Sequence, residues 1–216
     1  MPKKRIGITQ KVMKHPVYPE VLSCLDVKWF DLLVSFDMIP IPIALTTPKL
    51  AGSVITEHSL DGIIFSGGNS LSECAMNNDD QHTLSHQRDQ FEHALLSAAI
   101  EKNLPVLGIC RGLQLINNYF GGAVSPLKQD TTRRHPLIAE KNTPWTWPSE
   151  VNSYHDYVVK NNSIGDYLQP LAFDPNGHIE ALRHAHKKIL AIMWHPEREQ
   201  PSNHYDQELI QAHFQS

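Results

Sequence analysis

Pro105-Val-Leu-Gly-Ile-Cys-Arg-Gly-Leu-Gln114 is the stretch that decides the fold. Its first half is a short apolar run typical of a buried strand, and the apolar residues that follow recur at helical spacing. The two glycines near Cys110 let the chain turn sharply from strand to helix, which predicts this cysteine at the corner and at a helix N-terminus. Backbone NH groups and the helix dipole favour a thiolate there. The alternative is an ordinary buried strand cysteine, because free cysteine is among the most buried residue types.

The composition indicates a globular protein with one well-filled core. The chain has 216 residues, a hydrophobic fraction of 41% and a net charge of -4, and this length suits a single domain over residues 1–216. The acidic balance offers no basic face to nucleic acid. No apolar segment reaches the roughly 18 residues of a membrane span, and no signal-peptide pattern follows the first lysines. We therefore expect a cytoplasmic protein that binds neither nucleic acid nor membrane.

The cysteines and histidines give no metal-site pattern. Three cysteines without C-x-x-C spacing argue against a disulfide framework and a cysteine-based zinc site. Among 13 histidines, His82 with His86 and His184 with His186 could each supply two metal ligands. Neither pair comes with a third ligand and a supporting carboxylate. We expect surface histidines and no metal.

Short apolar runs alternate with amphipathic segments through the first half of the chain. Besides the elements around Cys110, the pattern predicts a strand at 5–9, a loop at 10–19, a helix at 20–36, strands at 38–45 and 61–65, a surface excursion at 70–86 and a helix at 88–102. This order predicts an α/β fold: a single domain with a mostly parallel, flavodoxin-like central sheet and helices on both faces. Ligands bind at the carboxyl ends of strands in such sheets, where Ser66-Gly-Gly-Asn69 and Cys110 both fall.

The second half begins with a stretch of different character. Residues 125–150 are irregular and rich in proline and tryptophan, so they either border an active site or cross the surface as a packed loop. Arg133 and Arg134 would suit a substrate with phosphates, although a solvated arginine pair is slightly preferred. Further elements are predicted downstream, namely strands at 151–159, 167–173, 178–183 and 188–193 and a closing helix at 205–214.

His195-Pro-Glu197 follows the last of these strands. A cysteine nucleophile needs a base to take its proton and a third group to orient that base. His195 and Glu197 offer both at a strand end, and the proline between them restricts the backbone. Cys110, His195 and Glu197 are therefore the predicted catalytic residues.

Taken together, these motifs resemble class I glutamine amidotransferase-like domains. The resemblance rests on Gly108-Ile-Cys-Arg-Gly112 with Gln114, Ser66-Gly-Gly68, Val151-Asn-Ser-Tyr-His155 and Trp194-His-Pro-Glu197. Within that superfamily the chain is similar to the γ-glutamyl-γ-aminobutyrate hydrolase (peptidase C26) group. A narrower likeness is to enzymes that remove glutamate from γ-glutamyl-CDP-amidate during capsule phosphoramidate synthesis, and it rests on Gly7-Ile-Thr-Gln10, Leu25-Asp-Val-Lys-Trp29, Ser66-Gly-Gly-Asn69 and Arg88-Asp-Gln-Phe-Glu92.

The resemblance implies a role for each matching residue. Cys110 would attack the γ-carbonyl of a glutamyl amide, with His195 as base and then acid and with Glu197 orienting the imidazole. Backbone NH groups of Gly68 and Arg111 would form the oxyanion hole. Apart from the resemblance, we expect the Arg111 side chain to pair with an acidic residue. The glutamyl group would be held by Gln114, Asn69, Ser153, Tyr154 and His155, for which sheet packing is the alternative. No metal or organic cofactor is implied.

Three function classes remain open at the level of the sequence. The first is a free-standing cysteine hydrolase of γ-glutamyl amides, with γ-glutamyl-CDP-amidate as the favoured substrate and γ-glutamyl-γ-aminobutyrate-type compounds as the alternative. The second is a glutaminase subunit that delivers ammonia to a synthase partner, and the third is a catalytically silent binding protein. The expected partner is a small γ-glutamyl molecule. The oligomeric state is open, with a homodimer among the alternatives.

Overall fold

A computed structural model describes residues 2–74, 80–127, 133–141, 143–199 and 203–215, with backbone alone for 80–84. Its strands, in chain order, are β1 (Arg5–Thr9), β2 (Lys11–Lys14), β3 (Val21–Cys24), β4 (Ile39–Ile43), β5 (Gly62–Phe65), β6 (Val106–Ile109), β7 (Ser125–Pro126), β8 (Arg134–Pro136), β9 (Ile138–Ala139), β10 (Glu150–Asn152), β11 (Tyr157–Val158), β12 (Leu168–Phe173), β13 (Ile179–His184) and β14 (Ile189–Ile192). The helices are α1 (Lys28–Ser35), α2 (Ala51–Glu57), α3 (Asp80–Glu101), α4 (Arg111–Tyr119) and α5 (His204–Gln215).

The centre of the molecule is an eight-stranded sheet in the order β4-β1-β5-β6-β14-β13-β12-β9. The first five strands are parallel, and the last three extend the sheet with antiparallel pairs. The parallel strands β5, β6 and β14 are buried along their whole length. The mostly parallel α/β sheet predicted from the sequence is therefore confirmed.

Helices cover both faces of this sheet, as two glycines show. A Cβ on Gly108 would lie 2.6 Å from Ile116 of α4, whereas one on Gly62 would lie 2.6 Å from Phe214 of α5. Gly108 pairs in register with Phe65, and side chains three positions apart on a strand point to opposite faces. Since Gly62 precedes Phe65 by three residues, α4 and α5 pack on opposite faces of the sheet.

The N-terminal region departs from the sequence prediction. The helix predicted over 20–36 is wrong in its first half, because Val21–Cys24 pairs with Lys11–Lys14 as a hairpin and the helix begins at Lys28. The Asp26 carboxylate accepts the Lys28 NH at 3.0 Å and starts the helix there. The loop predicted over 10–19 is interrupted by β2, and helix α2 was not predicted.

Three further segments refine the prediction. Helix α3 begins at Asp80, within the predicted excursion 70–86, of which Ser72–Cys74 forms a 3-10 turn and 75–79 lie outside the described residues. The strand predicted over 151–159 is broken into β10 and β11. The short strand β8 pairs with β10, and β7 pairs with β11. Parts of the stretch 125–150 are therefore paired with the segment 150–158. Among the described residues, no helix has both the length and the apolar character of a membrane span.

Candidate active site

Cys110 lies at the corner between β6 and α4, in a backbone conformation that non-glycine residues rarely adopt. Its φ is 54° and its ψ is -104°, and such strain tends to occur where a site requires it. The Cys110 NH donates to Ile192 O at 2.8 Å, which holds the corner against β14. The two flanking glycines are needed for close packing: a Cβ on Gly112 would lie 2.1 Å from Phe65 O. The strand-to-helix corner therefore holds the Cys110 thiol at the N-terminus of α4.

His195 lies beyond the end of β14, next to Cys110. Its Nδ1 contacts Glu197 Oε1 at 2.7 Å, and both side chains are almost fully buried. Burial lowers the pKa of His195, but its hydrogen bonds to Cys110 and Glu197, together with their charges, outweigh burial and raise the pKa to about 9. The three predicted catalytic residues are therefore hydrogen-bonded in the order Cys110, His195, Glu197, and the imidazole carries a proton at neutral pH.

Asn152 fixes the backbone of His195 from the neighbouring segment. Its side chain accepts the His195 NH at 2.9 Å and donates to His195 O at 2.8 Å. A two-sided amide clamp of this kind sets the position of the imidazole by holding the chain that carries it. Asn152 was quoted within a motif but was not predicted as a site residue, because the contact joins positions 43 residues apart.

The Ser66-Gly-Gly-Asn69 turn after β5 packs directly against the Cys110–His195 pair. A Cβ on Gly67 would lie 2.6 Å from His195 Cε1 and 3.5 Å from Cys110 Cβ. Gly68 adopts a φ of 79°, which favours glycine. Arg111 is the first residue of α4, so its NH has no acceptor within the helix. The two NH groups that the resemblance assigns to the oxyanion hole, those of Gly68 and Arg111, thus belong to segments that adjoin Cys110.

We expect Gly67→Ala to lower turnover of a γ-glutamyl amide, the substrate class that the sequence resemblance implies, by about 100-fold or more. The new methyl group would displace the His195 ring, and small misplacements in active sites have effects of this size. Steady-state kinetics with a γ-glutamyl amide would measure the loss. Gly52→Ala is the matched control, since a Cβ at Gly52 meets nothing within 4 Å. Equal activity of the two variants would contradict the close approach of His195 to the turn.

A buried ionic network connects this turn to the corner. Arg88 donates to the carbonyls of Ser66, Gly67 and Gly68 through its two terminal nitrogens and contacts Glu92 at 2.9 Å. Glu92 also pairs with Arg111, and Arg111 in turn pairs with Asp89. The Arg111 side chain therefore pairs with acidic residues, as the sequence predicts.

Arg88 and Glu92 were not predicted as site residues, although a signal was available. They occupy the same face of α3 as the fully buried Leu95 and Ala99, at the spacing of an apolar helix stripe. Charged residues within such a stripe must be paired, because an isolated buried charge is too costly. That pattern, at positions i and i+4, predicts a buried salt bridge.

The residues predicted to hold the glutamyl group lie around the same edge of the sheet. Gln114 donates to Tyr157 O at 3.0 Å, and the Ser153 NH donates to Arg133 O at 2.8 Å. Tyr154 is half-exposed, with its ring edge-on to the imidazole of His195 at 5.9 Å between centroids. His155 is buried and is bonded to Tyr157 O. The contact between Tyr154 and His195 places the segment Ser153–His155 beside the catalytic pair.

Asn69 has a structural contact as well as its place in the turn. Its side chain accepts the Val12 NH at 2.9 Å and donates to Val12 O at 2.8 Å, which holds the β2–β3 hairpin on the turn. The hairpin and the turn together line a cleft of about 340 Å³ that also includes His195, Glu197 and Arg198. Lys11 is the basic residue of the hairpin that lines this cleft.

The arginine and tryptophan residues of the loop have other partners. Arg134 pairs with Glu150 at 2.5 Å and with Glu199 at 2.9 Å. Trp147 packs edge-on against Trp145 and Trp194, with ring centroids about 6 Å apart. Arg133 offers its carbonyl to Ser153. The bond from the Ser153 NH to Arg133 O joins this loop to the segment that carries Ser153 and His155.

The histidine pairs considered from the sequence are not joined by a third ligand among the described residues. The side chain of His82 lies outside those residues. The rings of His184 and His186 are 6.1 Å apart, and His184 Nδ1 accepts the His186 NH. A different set, His135, His155 and Glu180, does bring three potential metal ligands together.

Two curated relatives share most of their length with this chain. One is the γ-glutamyl-CDP-amidate hydrolase of Campylobacter jejuni, 31% identical over 203 residues that cover 92% of both chains. Another is the γ-glutamyl-γ-aminobutyrate hydrolase of Escherichia coli O157:H7, 26% identical and covering 87% of this chain and 88% of the relative.

Solved structures confirm the fold. A glutamine amidotransferase of Thermotoga maritima superposes with a TM-score of 0.64 at 11% identity, covering 98% of this chain and 84% of that one. A protein of Thermoplasma acidophilum, described as a putative GMP synthase component, superposes with a TM-score of 0.70 at 18% identity, covering 99% of this chain and 93% of that one. At these identities the likeness extends to the fold alone. The sequence profile of the peptidase C26 family matches residues 5–197, and the chain therefore belongs to that family.

Proposed function

We propose that this chain is a cysteine hydrolase that releases glutamate from γ-glutamyl amides through a glutamyl thioester on Cys110. The observation that carries the proposal is the hydrogen-bonded order Cys110, His195, Glu197 at a strained strand-to-helix corner. This arrangement supplies a nucleophile, its proton acceptor and the group that orients it. Membership of a hydrolase family supports the same chemistry.

The reaction follows from these positions in two steps. The Cys110 sulfur attacks the γ-carbonyl carbon and forms a C–S bond, after which the C–N bond breaks and His195 gives its proton to the leaving nitrogen. Neutral His195 then takes a proton from water, whose oxygen attacks the thioester carbon. The C–S bond breaks, glutamate leaves, and the proton remains with the Cys110–His195 pair. Glu197 holds the imidazole in orientation throughout.

The oxyanion of each tetrahedral intermediate needs donors that are in place beforehand. The NH groups of Gly68 and Arg111 are proposed for this role, since one lies in the turn that packs on Cys110 and the other starts the helix after it. Such a donor contributes about 3 to 4 kcal/mol to the transition state. Gln114, Asn69, Ser153, Tyr154 and His155 are proposed to surround the glutamyl group.

The amine half of the substrate is proposed to carry phosphate, as in γ-glutamyl-CDP-amidate. The cleft next to the Gly67–Gly68 turn is lined by the cations Lys11 and Arg198 and by the acids Asp26 and Glu197. Since Glu197 is bonded to His195, the two cations favour a phosphate-bearing group. The Campylobacter relative supports this choice, and the E. coli relative supports γ-glutamyl-γ-aminobutyrate as the alternative.

We expect the rate of acylation to fall as pH rises through about 9, the pKa of His195. The raised pKa keeps the imidazole protonated below this pH, and the proton is needed by the leaving nitrogen; above it the general acid is lost. Glu197→Gln removes a charge that raises this pKa, so the alkaline limb of kcat/KM is expected to move to lower pH. A pH–rate profile of both proteins would measure the shift, and identical alkaline limbs would contradict the role of Glu197.

A substrate panel tests the proposed function. The isolated chain is expected to release glutamate from γ-glutamyl-CDP-amidate with higher kcat/KM than from γ-glutamyl-γ-aminobutyrate or glutamine, with both products detected by mass spectrometry. Lys11→Gln should raise KM for the phosphate-bearing substrate more than for the others. Turnover of the aminobutyrate compound alone would select the alternative substrate. Activity on glutamine only when a synthase is added would instead identify a glutaminase subunit.

A further inference from the structure

A second group of ionisable side chains lies near Cys110, and none of its members takes part in bond making or proton transfer in the proposed reaction. It consists of His135, His155 and Glu180, each offering a ligand atom within 4.8 Å of the others. Glu180 Oε1 is 3.7 Å from His135 Nε2 and 3.6 Å from His155 Nε2. Both Glu180 oxygens and His135 Nε2 are buried without a hydrogen-bond partner among the residues that the structure describes.

The backbone fixes the tautomers of both histidines. His135 Nδ1 contacts Pro136 O at 3.0 Å, and His155 Nδ1 contacts Tyr157 O at 3.1 Å. A carbonyl oxygen can only accept, so Nδ1 carries the hydrogen in each neutral ring and Nε2 presents a lone pair. An Nδ1–H bonded to a backbone carbonyl is also the usual way in which a metal-bound histidine is oriented. Two lone pairs and a carboxyl group therefore converge on one point.

The spacing of these atoms distinguishes among the groups that could neutralise them. A proton shared between nitrogen and oxygen would bring the atoms to about 2.8 Å. An ammonium group bonded to all three at about 2.8 Å would hold them about 4.6 Å apart. A tetrahedral zinc ion with bonds of about 2.1 Å holds its ligand atoms about 3.4 Å apart. The observed separations of 3.6 and 3.7 Å fit the metal best.

The burial of Glu180 also favours a bound metal ion. Glu180 is fully buried, and neither of its carboxyl oxygens has a hydrogen-bond partner among the described residues. A buried carboxylate is costly unless a cation lies beside it, and a divalent ion bound by the two imidazoles would supply that charge. With the hydrogen of His155 on Nδ1, the Ser153 hydroxyl donates to His155 Nε2 at 3.2 Å. A metal ion at Nε2 would replace this hydrogen bond and would have the Ser153 oxygen beside it.

We propose that His135, His155 and Glu180 form a binding site for a divalent cation of the zinc class, with the fourth position left to water or the Ser153 hydroxyl. Such a site would join β8, β13 and the segment that carries Ser153. Its role is structural, since it holds that segment in place beside the catalytic pair. The ligands are 20 and 25 residues apart in the sequence, which is why spacing did not reveal them.

Metal titration of the full chain tests this site. The Cys110→Ala protein should be used, because a free thiol next to His195 would compete for zinc. After treatment with EDTA it is expected to bind one Zn²⁺ per chain by isothermal titration and elemental analysis, and one Co²⁺ with a tetrahedral visible spectrum. Introducing His135→Ala or Glu180→Gln should weaken binding by at least about 100-fold. His186→Ala, at an exposed histidine, is the matched control and should bind as before.

Thermal melting separates loss of the site from loss of the fold. Zn²⁺ should raise the Tm of the Cys110→Ala protein and of the His186→Ala control, but not that of the folded His135→Ala variant. Absence of stoichiometric metal, or equal binding in the His135→Ala and control proteins, would overturn the proposal. Stabilisation by L-glutamate instead of Zn²⁺, lost in Glu180→Gln, would also overturn it and identify an ammonium site. Because none of these measurements uses turnover, the result is independent of the proposed hydrolase activity.

Discussion

Cys110→Ala is expected to lower glutamate release by at least about 10⁴-fold, because loss of a nucleophile leaves only binding and oxyanion stabilisation. The thiol lies at the start of α4 and is hydrogen-bonded to His195, and no neighbouring group in this arrangement can replace it. A coupled glutamate assay with any accepted γ-glutamyl amide would measure the loss. Mass spectrometry of the quenched wild-type protein should show a glutamyl adduct on the peptide that contains Cys110.

Cys74→Ala provides the matched control. Cys74 is also buried, but burial and the nearby charges of Glu73 and Asp89 raise the pKa of its thiol to about 12, so it is inert as a nucleophile. We expect this variant to keep wild-type activity and an alkylating γ-glutamyl analogue to label Cys110 without labelling Cys74. If Cys110→Ala retained full activity, or if Cys110 resisted the analogue, the hydrolase proposal would fail and a binding role would be favoured.

The sequence predicted those parts of the fold and site that depend on local pattern. Strands β5, β6 and β14 are continuous apolar runs, and each ends in a motif of small or catalytic residues. Because parallel strands align their carboxyl ends, such runs also predict which motifs meet. The proximity of Cys110 to His195 follows from this topology, although 85 residues separate them.

The helix predicted over 20–36 shows where local pattern fails. Val21 and Leu22 continue the helical spacing of Trp29 and Leu32, so periodicity alone extends the helix too far. Pairing with the preceding strand Lys11–Lys14 makes Val21–Cys24 a strand instead, and Val21 is exposed in the resulting hairpin. This pairing matters for function because the hairpin brings Lys11 to the cleft.

Contacts between distant polar groups form the other class that the sequence did not predict. The clamp from Asn152 to His195 and the bonds from Arg88 to Gly67 and Gly68 each join different elements. Both residues lie within motifs that were quoted for the family resemblance, but those motifs do not say which distant atoms the two side chains bind. The apolar stripe of α3 could have predicted the Arg88–Glu92 salt bridge, but the bonds to Gly67, Gly68 and His195 depend on the three-dimensional fold.

Glu92→Gln is expected to lower the free energy of unfolding by about 3 to 5 kcal/mol, as is usual when one partner of a buried ion pair is removed. Glu92 lies between Arg88 and Arg111, all three side chains being 1% exposed. The change leaves two buried arginines that share Asp89 as their remaining carboxylate neighbour. Urea unfolding would measure the loss, and Glu101→Gln, at the exposed end of the same helix, is the control expected to change stability by less than about 0.5 kcal/mol.

The pH dependence of stability gives an independent check on the same network. Burial raises the pKa of Glu92, but the charges of Arg111 and Arg88 and its hydrogen bonds outweigh this and lower it below the usual 4.5. A group with a lowered pKa contributes stability above pH 4.5 and loses it as the pH falls through the folded-state pKa. The wild type should therefore lose stability in acid more steeply than Glu92→Gln.

Activity should fall together with stability in this variant, because the network does more than hold α3. Arg88 bonds the carbonyls of the Gly67–Gly68 turn, and Arg111 carries the other proposed oxyanion donor. Asp89→Asn should have a smaller effect on both properties, since Asp89 is 14% exposed and pairs with Arg111 but not with Arg88. If Glu92→Gln proved unstable but its folded fraction kept full kcat, the network would stabilise the fold without positioning the oxyanion hole.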